Sequence, residues 1–249
     1  MIQPNFKFYD VVNSTNDTAK ELISCKSNIN GTVIQANHQL KGRGRQNHVW
    51  ESNPGENLLF SIIITPTSIP PSRQFLINEL VSTTLRDFLQ IHIPHTTVKI
   101  KWPNDIYIAN KKIAGILIEH IITGNSITYS IIGIGININQ IEFHPSLPNP
   151  TSLKNETGRH HDVKKLCTDY SRNFLNVFES FTSEKEAALT ETYTQHLFQL
   201  HEKHDYLIDG QKTTATITGI DACGCLVMKM EDGTARAFEL NDIAYPSKQ

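Results

Sequence analysis

The chain has only four cysteines, Cys25, Cys167, Cys223 and Cys225, with no CxxC pair and no Cys/His quartet at zinc-ligand spacing. A disulfide framework or a structural zinc site is therefore excluded as the organising device. Buried or half-buried thiols in a cytoplasmic protein are expected instead. Long apolar runs are also missing. The best, Leu58 to Ile64, is the length of one buried strand, far short of the roughly 20 residues of a membrane helix. Met1 to Asp10 contains no apolar leader core, so neither secretion nor a membrane is expected. Neither sign of charge dominates: 23 Lys and Arg against 25 Asp and Glu give a net −2. That removes the chain-wide basic footprint of a nucleic-acid binder, though not a local cationic site. Neither a GxGxxG fingerprint nor a Gly-Lys-Ser/Thr phosphate loop is present. What is there is an ordinary globular mixture, 39% hydrophobic and 19% charged over 249 residues, enough for one or two domains with a large core.

Patterning predicts an α+β layer over the first 200 or so residues, a sheet with helices against one face. Capping residues Asn13 to Asp17 precede a short helix, Ala19 to Ile23. Strands are expected at Thr32 to Ala36, Leu58 to Thr65, Thr97 to Lys101, Ile106 to Ala109, Ile113 to Ile122 and Ser126 to Ile138. Asn110-Lys111-Lys112 and Thr123-Gly124-Asn125 read as hairpin turns. Apolar residues at spacings of three and four predict a helix capped by Ser72, a second from Val163 to Phe181 and a third over Glu184 to Leu200. From His204 onward the pattern changes to four short strands separated by Asp209-Gly210, Cys223-Gly224 and Asp232-Gly233. This describes a small β-barrel, marginal alone and therefore packed on the larger unit. The division falls at 1–202 and 203–249.

Four stretches carry chemistry. Lys41-Gly42-Arg43-Gly44-Arg45-Gln46-Asn47-His48-Val49-Trp50 interleaves cations with glycines and contains no acid. Glycine lets backbone N–H groups approach an anion, and each arginine offers a fork for carboxylate or phosphate oxygens. A solvated Arg-Gly loop of an RNA-binding module fits the same residues. Lys99 to Ile106 runs a strand into Trp102-Pro103-Asn104-Asp105, where Asp105 could hold Mg²⁺ or simply form a turn with Asn104. Lys111 and Lys112 begin an apolar strand on which side chains alternate, so one lysine can face a reacting anion while Ala114-Gly115 leaves room beside it. Gly133 and Gly135 interrupt an isoleucine-rich strand where something flat could approach, followed by Asn137 with amide groups for a base edge.

Taken in order and spacing, Ser14-Thr15-Asn16, Gln39, Gly42-Arg43-Gly44-Arg45, Trp50, Lys101-Trp102-Pro103-Asn104-Asp105, Lys112 to Glu119 and Gly133 to Asn137 closely resemble the biotin–protein ligases. The resemblance implies a fold shared with class II aminoacyl-tRNA synthetases and lipoate ligases, followed by an SH3-like barrel. It implies ATP-dependent activation of biotin to biotinoyl-5′-AMP and transfer to a lysine of a carboxylase's biotin carboxyl carrier domain. Ser14, Thr15, Asn16 and Gln39 then match the contacts to the biotin head, with Arg43, Gly44, Arg45, Lys112 and Gly115 around the rest of it. Lys112 and Arg45 match the catalytic cations. Arg43, Arg45, Trp50, Asn104, Asp105, Lys112 and Asn137 match the ATP or adenylate side, with Asp105 on Mg²⁺. Family loops often run Arg-Gly-Arg-x-Gly-Arg-x-Trp. Here Gln46, Asn47 and His48 fill that stretch, and His48 stands where an arginine is common. No DNA-binding helix-turn-helix precedes Asn5 to Asp10, so a ligase that does not bind DNA is expected, as monomer or homodimer. A lipoate or octanoyl transferase is the nearest enzyme alternative.

Overall fold

The computed structural model describes residues 2–25, 29–45 and 48–245. Gln46 and Asn47, the unusual loop residues, lie outside them.

Seven strands form the larger sheet: β1 (Asn5–Val12), β2 (Thr32–Gln39), β3 (Leu58–Ile64), β4 (Val98–Lys101), β5 (Asp105–Ile108), β6 (Lys111–Thr123) and β7 (Ser126–Ile136). Their spatial order is β1-β2-β3-β7-β6-β5-β4. Only β1 and β2 run parallel; every other neighbouring pair is antiparallel. Every residue of β3 is buried. A central strand of this kind needs cover on both faces. Leu58, Phe60, Ile62 and Ile64 enter the main core, while Ile63 packs with Ala19 and Ile34 on the other side.

Those two sides correct the expectation of helices on a single face. Helices α2 (Phe75–His92), α4 (Val163–Glu179) and α5 (Glu186–Gln195) gather on the main-core side. Helix α1 (Thr15–Cys25) lies alone on the opposite face, against β2, β3 and β7. A short α3 (Leu153–Thr157) is capped by the Ser152 hydroxyl.

Other departures have local causes. Strand β1 was not expected, because its apolar residues do not alternate cleanly; it is an edge strand with Phe8 and Val11 both 54% exposed, fixed by pairing with β2. Helix α1 begins at Thr15, earlier than its apolar residues suggest. Pro71 to Arg73 forms a 3₁₀ turn, so α2 starts at Phe75 and Ser72 does not cap it. The β5–β6 turn is Ala109-Asn110, with Lys111 and Lys112 already in strand. Helix α5 stops at Gln195 because the following backbone pairs with β4: Ile100 N–H donates to the His196 carbonyl and Phe198 N–H to the Ile100 carbonyl, both at 2.8 Å.

The C-terminal part forms a separate five-stranded antiparallel sheet, β8 (Lys203–Ile208), β9 (Gln211–Ile220), β10 (Leu226–Met230), β11 (Ala235–Phe238) and β12 (Ile243–Ala244), in the order β11-β10-β9-β8-β12. Tyr206, Ile217, Met228 and Phe238 share one continuous core with the larger sheet, so the small unit packs on the large one as its size requires. Among the described residues no helix is long and apolar enough to cross a membrane.

Candidate active site

Residues paired across neighbouring strands share a face. Ser61 pairs with Gly133, Leu59 with Gly135, Gly135 with Gly115 and Gly133 with Leu117. The three glycines therefore make a bare patch on the α1 face of the sheet. A Cβ on Gly133 would collide with the Asn16 carboxamide. One on Gly135 would stand 2.5 Å from the Trp50 ring, and one on Gly115 2.9 Å from it. The indole thus lies against the glycine floor, at a distance that no side chain there would permit.

The start of α1 and the middle of β3 build a polar end. The Thr15 backbone N–H and hydroxyl donate to Gln39 Oε1 at 2.7 and 3.1 Å. The Ser61 hydroxyl lies 2.7 Å from Thr15 Oγ1 and 2.6 Å from Asn16 Oδ1, and Asn16 Nδ2 donates to Glu119 at 2.8 Å. Ser14, Thr15 and Asn16 are each at most 4% exposed. A buried network of alternating donors and acceptors suits a flat polar head group such as an amide or urea.

The cationic end depends on an irregularity. Between β5 and β6 the register shifts: Ile106 faces Ala114, but Tyr107 faces Lys112, leaving Ile113 as the extra residue. Both Ile113 and Ala114 are buried in the main core. The bulge inverts the alternation below Ala114, so Lys112 turns to the glycine face instead of the helix-covered one. Its ammonium meets Asp105 at 2.7 Å and sits 5.6 Å from the Trp50 ring. Lys111 points the other way, toward Glu156 at 3.4 Å. Arg45 is the second cation at this end. Burial lowers its pKa from the ordinary value, and Tyr193 and Asp105 oppose that shift.

Arg43 is held differently. Its guanidinium is 2.6 Å from Asp17 and 3.7 Å from Glu119, at the rim of the cavity. Burial alone would raise the Glu119 carboxyl. Hydrogen bonds from Lys20 and Asn16 and the charges of Lys20 and Arg43 carry it net below its ordinary value.

Two cavities result. One of about 240 Å³ is lined by Ser14, Thr15, Asn16, Gln39, Arg43, Gly44, Arg45, Trp50, Asn104, Asp105, Lys112 and Gly115 among others. The second, about 390 Å³, is bounded by Asn137, Phe143, Leu147, Pro148 and Pro150. Trp50, Lys112 and His48 line both, so the indole and the ammonium form the shared wall. Of the residues matched to biotin, nucleotide or catalytic roles in the sequence, Asn137 is the one absent from the first cavity's lining. Its Nδ2 donates to the Thr151 carbonyl at 2.9 Å. Asn104 lines the first cavity, but its Nδ2 is committed to the Ile116 carbonyl at 2.6 Å, pinning the Trp-Pro-Asn-Asp loop to β6.

Sequence reasoning missed Ser61, Asp17 and Leu240 and gave Glu119 no role. Ser61 left a signal, being the lone polar residue in Leu58 to Ile64. Glu119 stood at the end of the Lys112 to Glu119 string but without a role, and Asp17 only among helix-capping residues; the fold alone sets both beside Arg43. Leu240, which lines the first cavity, comes from the C-terminal part of the chain.

Known proteins resemble this chain in sequence and in fold. Residues 8–137 match the biotin/lipoate A/B protein ligase family. The chain is 38% identical over 133 residues to the bifunctional ligase/repressor BirA of Bacillus spizizenii, covering 53% of this chain and 40% of that protein. It is 28% identical over 149 residues to the biotin–[acetyl-CoA-carboxylase] ligase of Mycobacterium tuberculosis, covering 58% of this chain and 54% of that one. It therefore spans about half the length of these relatives or less. In fold it is similar to the biotin protein ligase of Aquifex aeolicus solved with biotin and ATP, with a TM-score of 0.80 at 24% identity, covering 96% of this chain and 97% of that one. With more than half of its residues matched, the chain belongs to the biotin/lipoate A/B protein ligase family.

Proposed function

We propose that this protein is an ATP-dependent biotin–protein ligase, which activates biotin to biotinoyl-5′-AMP and transfers it to a lysine of a biotin carboxyl carrier protein or domain. The observation that carries the reading is the position of Lys112, in the wall between a slot with a polar far end and a second cavity. A biotin head against Thr15, Asn16, Gln39 and Ser14 would send its carboxylate along Gly115 to Lys112 and Arg45. A nucleotide in the second cavity would bring its α-phosphate to the same ammonium, with its base toward Asn137 and Trp50.

Activation must bring two anions together. The biotin carboxylate oxygen attacks the α-phosphorus, the bond to the bridging oxygen breaks, and pyrophosphate leaves with the electron pair. Lys112 and Arg45 offset the repulsion and fix the line of approach. In transfer, the acceptor amine attacks the anhydride carbonyl, an amide forms, AMP leaves and the amine loses a proton. Neither step needs a protein nucleophile. Arg43, Gly44 and Trp50 close the loop side and keep water from the anhydride.

Asp105 fits Mg²⁺ of the kind that takes one carboxylate and completes its shell with phosphate oxygens and water. No group of three or more His, Cys, Asp or Glu among the described residues offers an all-protein cage. When bound, the ion would polarise phosphate oxygens. Asn104 serves the adenylate side by holding the loop that carries Asp105.

We take residues 1–202 as the catalytic unit, class II synthetase-like, and 203–249 as an SH3-like barrel. The protein would act in the cytoplasm without binding DNA or membrane, as a monomer or homodimer. The test is incubation with biotin, MgATP and a carrier domain, followed by mass spectrometry. A gain of one biotinoyl group is expected. A gain with lipoate and none with biotin would overturn the assignment.

A further inference from the structure

Each residue of Lys101-Trp102-Pro103-Asn104 is held by contacts from other elements, and two of the holders, Gly224 in the β9–β10 turn and Tyr245 just past β12, belong to the C-terminal part of the chain. The Trp102 indole N–H donates to the Gly224 carbonyl at 2.9 Å in a buried bond. Gly224 adopts φ of +85° in the β9–β10 turn, and a Cβ there would collide with the Phe75 ring, so the carbonyl reaches Trp102 only from a glycine. The Pro103 carbonyl accepts from Asn78 of α2 at 2.7 Å and from the Tyr193 hydroxyl of α5 at 3.2 Å. Asn104 is tied to Ile116 through its side chain at 2.6 Å and its backbone carbonyl at 2.9 Å.

Lys101 is the unusual member. It lies partly buried and forms no ion pair among the described residues. Its ammonium sits 4.2 Å from the centre of the Tyr245 ring and 4.9 Å from that of Tyr107, and donates to the Tyr107 hydroxyl at 3.2 Å. Burial lowers its pKa; the Asp105 charge opposes that shift and the Lys112 charge adds to it. Among the described residues the buried Tyr245 hydroxyl has no hydrogen-bond partner. What Tyr245 contributes is therefore its ring face, on which a cation stripped of water is attracted by the ring quadrupole.

We propose that Tyr245, in the C-terminal part of the chain just past β12, is a positioning residue that holds Lys101 and thereby sets where Asp105 meets Lys112. This rests on the activation reading given above. Lys101 lines neither cavity described, so it acts on the reaction through Asp105, its register partner across the β4–β5 hairpin. The Tyr245 ring faces Lys101, Lys101 pairs in register with Asp105, and Asp105 meets Lys112 in the wall between the two cavities.

The full chain is tested as Tyr245→Leu, Tyr245→Phe and Lys101→Met. Two readouts are taken: biotin-dependent ATP–pyrophosphate exchange, and amide hydrogen exchange of peptides covering 100–107 and β7. Tyr245→Leu and Lys101→Met should lower kcat of exchange tenfold or more, with biotin affinity in the absence of nucleotide within twofold of the parent. Both should speed amide exchange in 100–107 at least threefold and leave β7 unchanged. Tyr245→Phe keeps the ring face and should match the parent within twofold in both readouts. Parent-like kinetics and amide exchange in Tyr245→Leu would overturn the proposal, as would an equal loss in Tyr245→Phe. An equal fall in biotin affinity and in β7 protection would reduce the contact to general stability and overturn it too. If the parent shows no biotin-dependent exchange, the ligase reading fails on its own, and the amide readout still decides whether Tyr245 holds the loop.

Discussion

Removing the Lys112 ammonium is the sharpest test of the site. The side chain stands at 2.7 Å from Asp105 in the wall between the two cavities. Two unit charges about 4 Å apart repel by roughly 4 kcal/mol at the effective dielectric of a partly buried site. The proposed chemistry asks a carboxylate to approach a phosphate at about that separation, so a lysine there offsets a term of similar size. Losing most of it corresponds to about 10²–10³ in rate, the range seen when one preorganised charge-stabilising donor is removed. Lys112→Ala also leaves Asp105 unpaired beside the incoming anions, which pushes the effect to the upper end, near a thousandfold. The fold should survive. The strand at this position is held by backbone bonds, Lys112 N–H to the Asn149 carbonyl at 2.8 Å and Thr151 N–H to the Lys112 carbonyl at 2.9 Å, neither of which uses the side chain. The assay is biotin-dependent ATP–pyrophosphate exchange, with thermal unfolding alongside. Exchange within tenfold of the parent would refute the role given to this ammonium. Collapse of the melting transition would refute the claim that its work is chemical.

Other residues make separable predictions. Ser61→Ala leaves Thr15 and Asn16 short of a buried partner, a cost of about 1–3 kcal/mol; tenfold or greater weakening of biotin binding by calorimetry is expected, and unchanged affinity would remove Ser61 from the network. Asp17→Asn removes the nearer of Arg43's two carboxylates and leaves Glu119 at 3.7 Å, and because Arg43 and Asp17 are both more than a third exposed the effect should be a few-fold rise in biotin Kd that shrinks in high salt. No change at low salt would show that the loop is held by other contacts. Glu79, buried in α2 and accepting from Thr190 at 2.7 Å, is pushed up to about 7, chiefly by burial. The unfolded chain releases this proton near its ordinary value of 4.5 while the folded chain keeps it to about 7, so stability falls as pH rises through that window, by an amount on the order of 3 kcal/mol. Glu79→Gln should therefore match the parent in melting temperature at pH 4 and exceed it at pH 8, and equal melting at both pH values would refute the buried-acid assignment.

Local physics reaches a long way in this chain. Strand β3 is an apolar run broken only by Ser61, the pattern of a strand buried on both faces. The apolar stripe of α4 and the Gly-punctuated hairpins of the C-terminal sheet follow from periods of 3.6 and 2 and from turn chemistry, so they too were legible. The motif strings also named most of the cavity wall, because backbone approach needs glycine and anion recognition needs Arg or Lys.

Which face of the sheet holds the site was settled only by tertiary structure. Alternation along a strand says that two residues differ in side, never which side will be covered by helices, and α1 settles opposite α2, α4 and α5. The direction of Lys112 depends on one extra residue, Ile113, which appears only when β6 is laid against β5. The partners of Arg43 come from α1 and β6, 26 positions before it and 76 after it, and Tyr245 reaches Lys101 across 144 positions. Charge and ring contacts of that kind carry no periodic signature, because they are made by the packing of whole elements and not by the local preferences of the residues that meet.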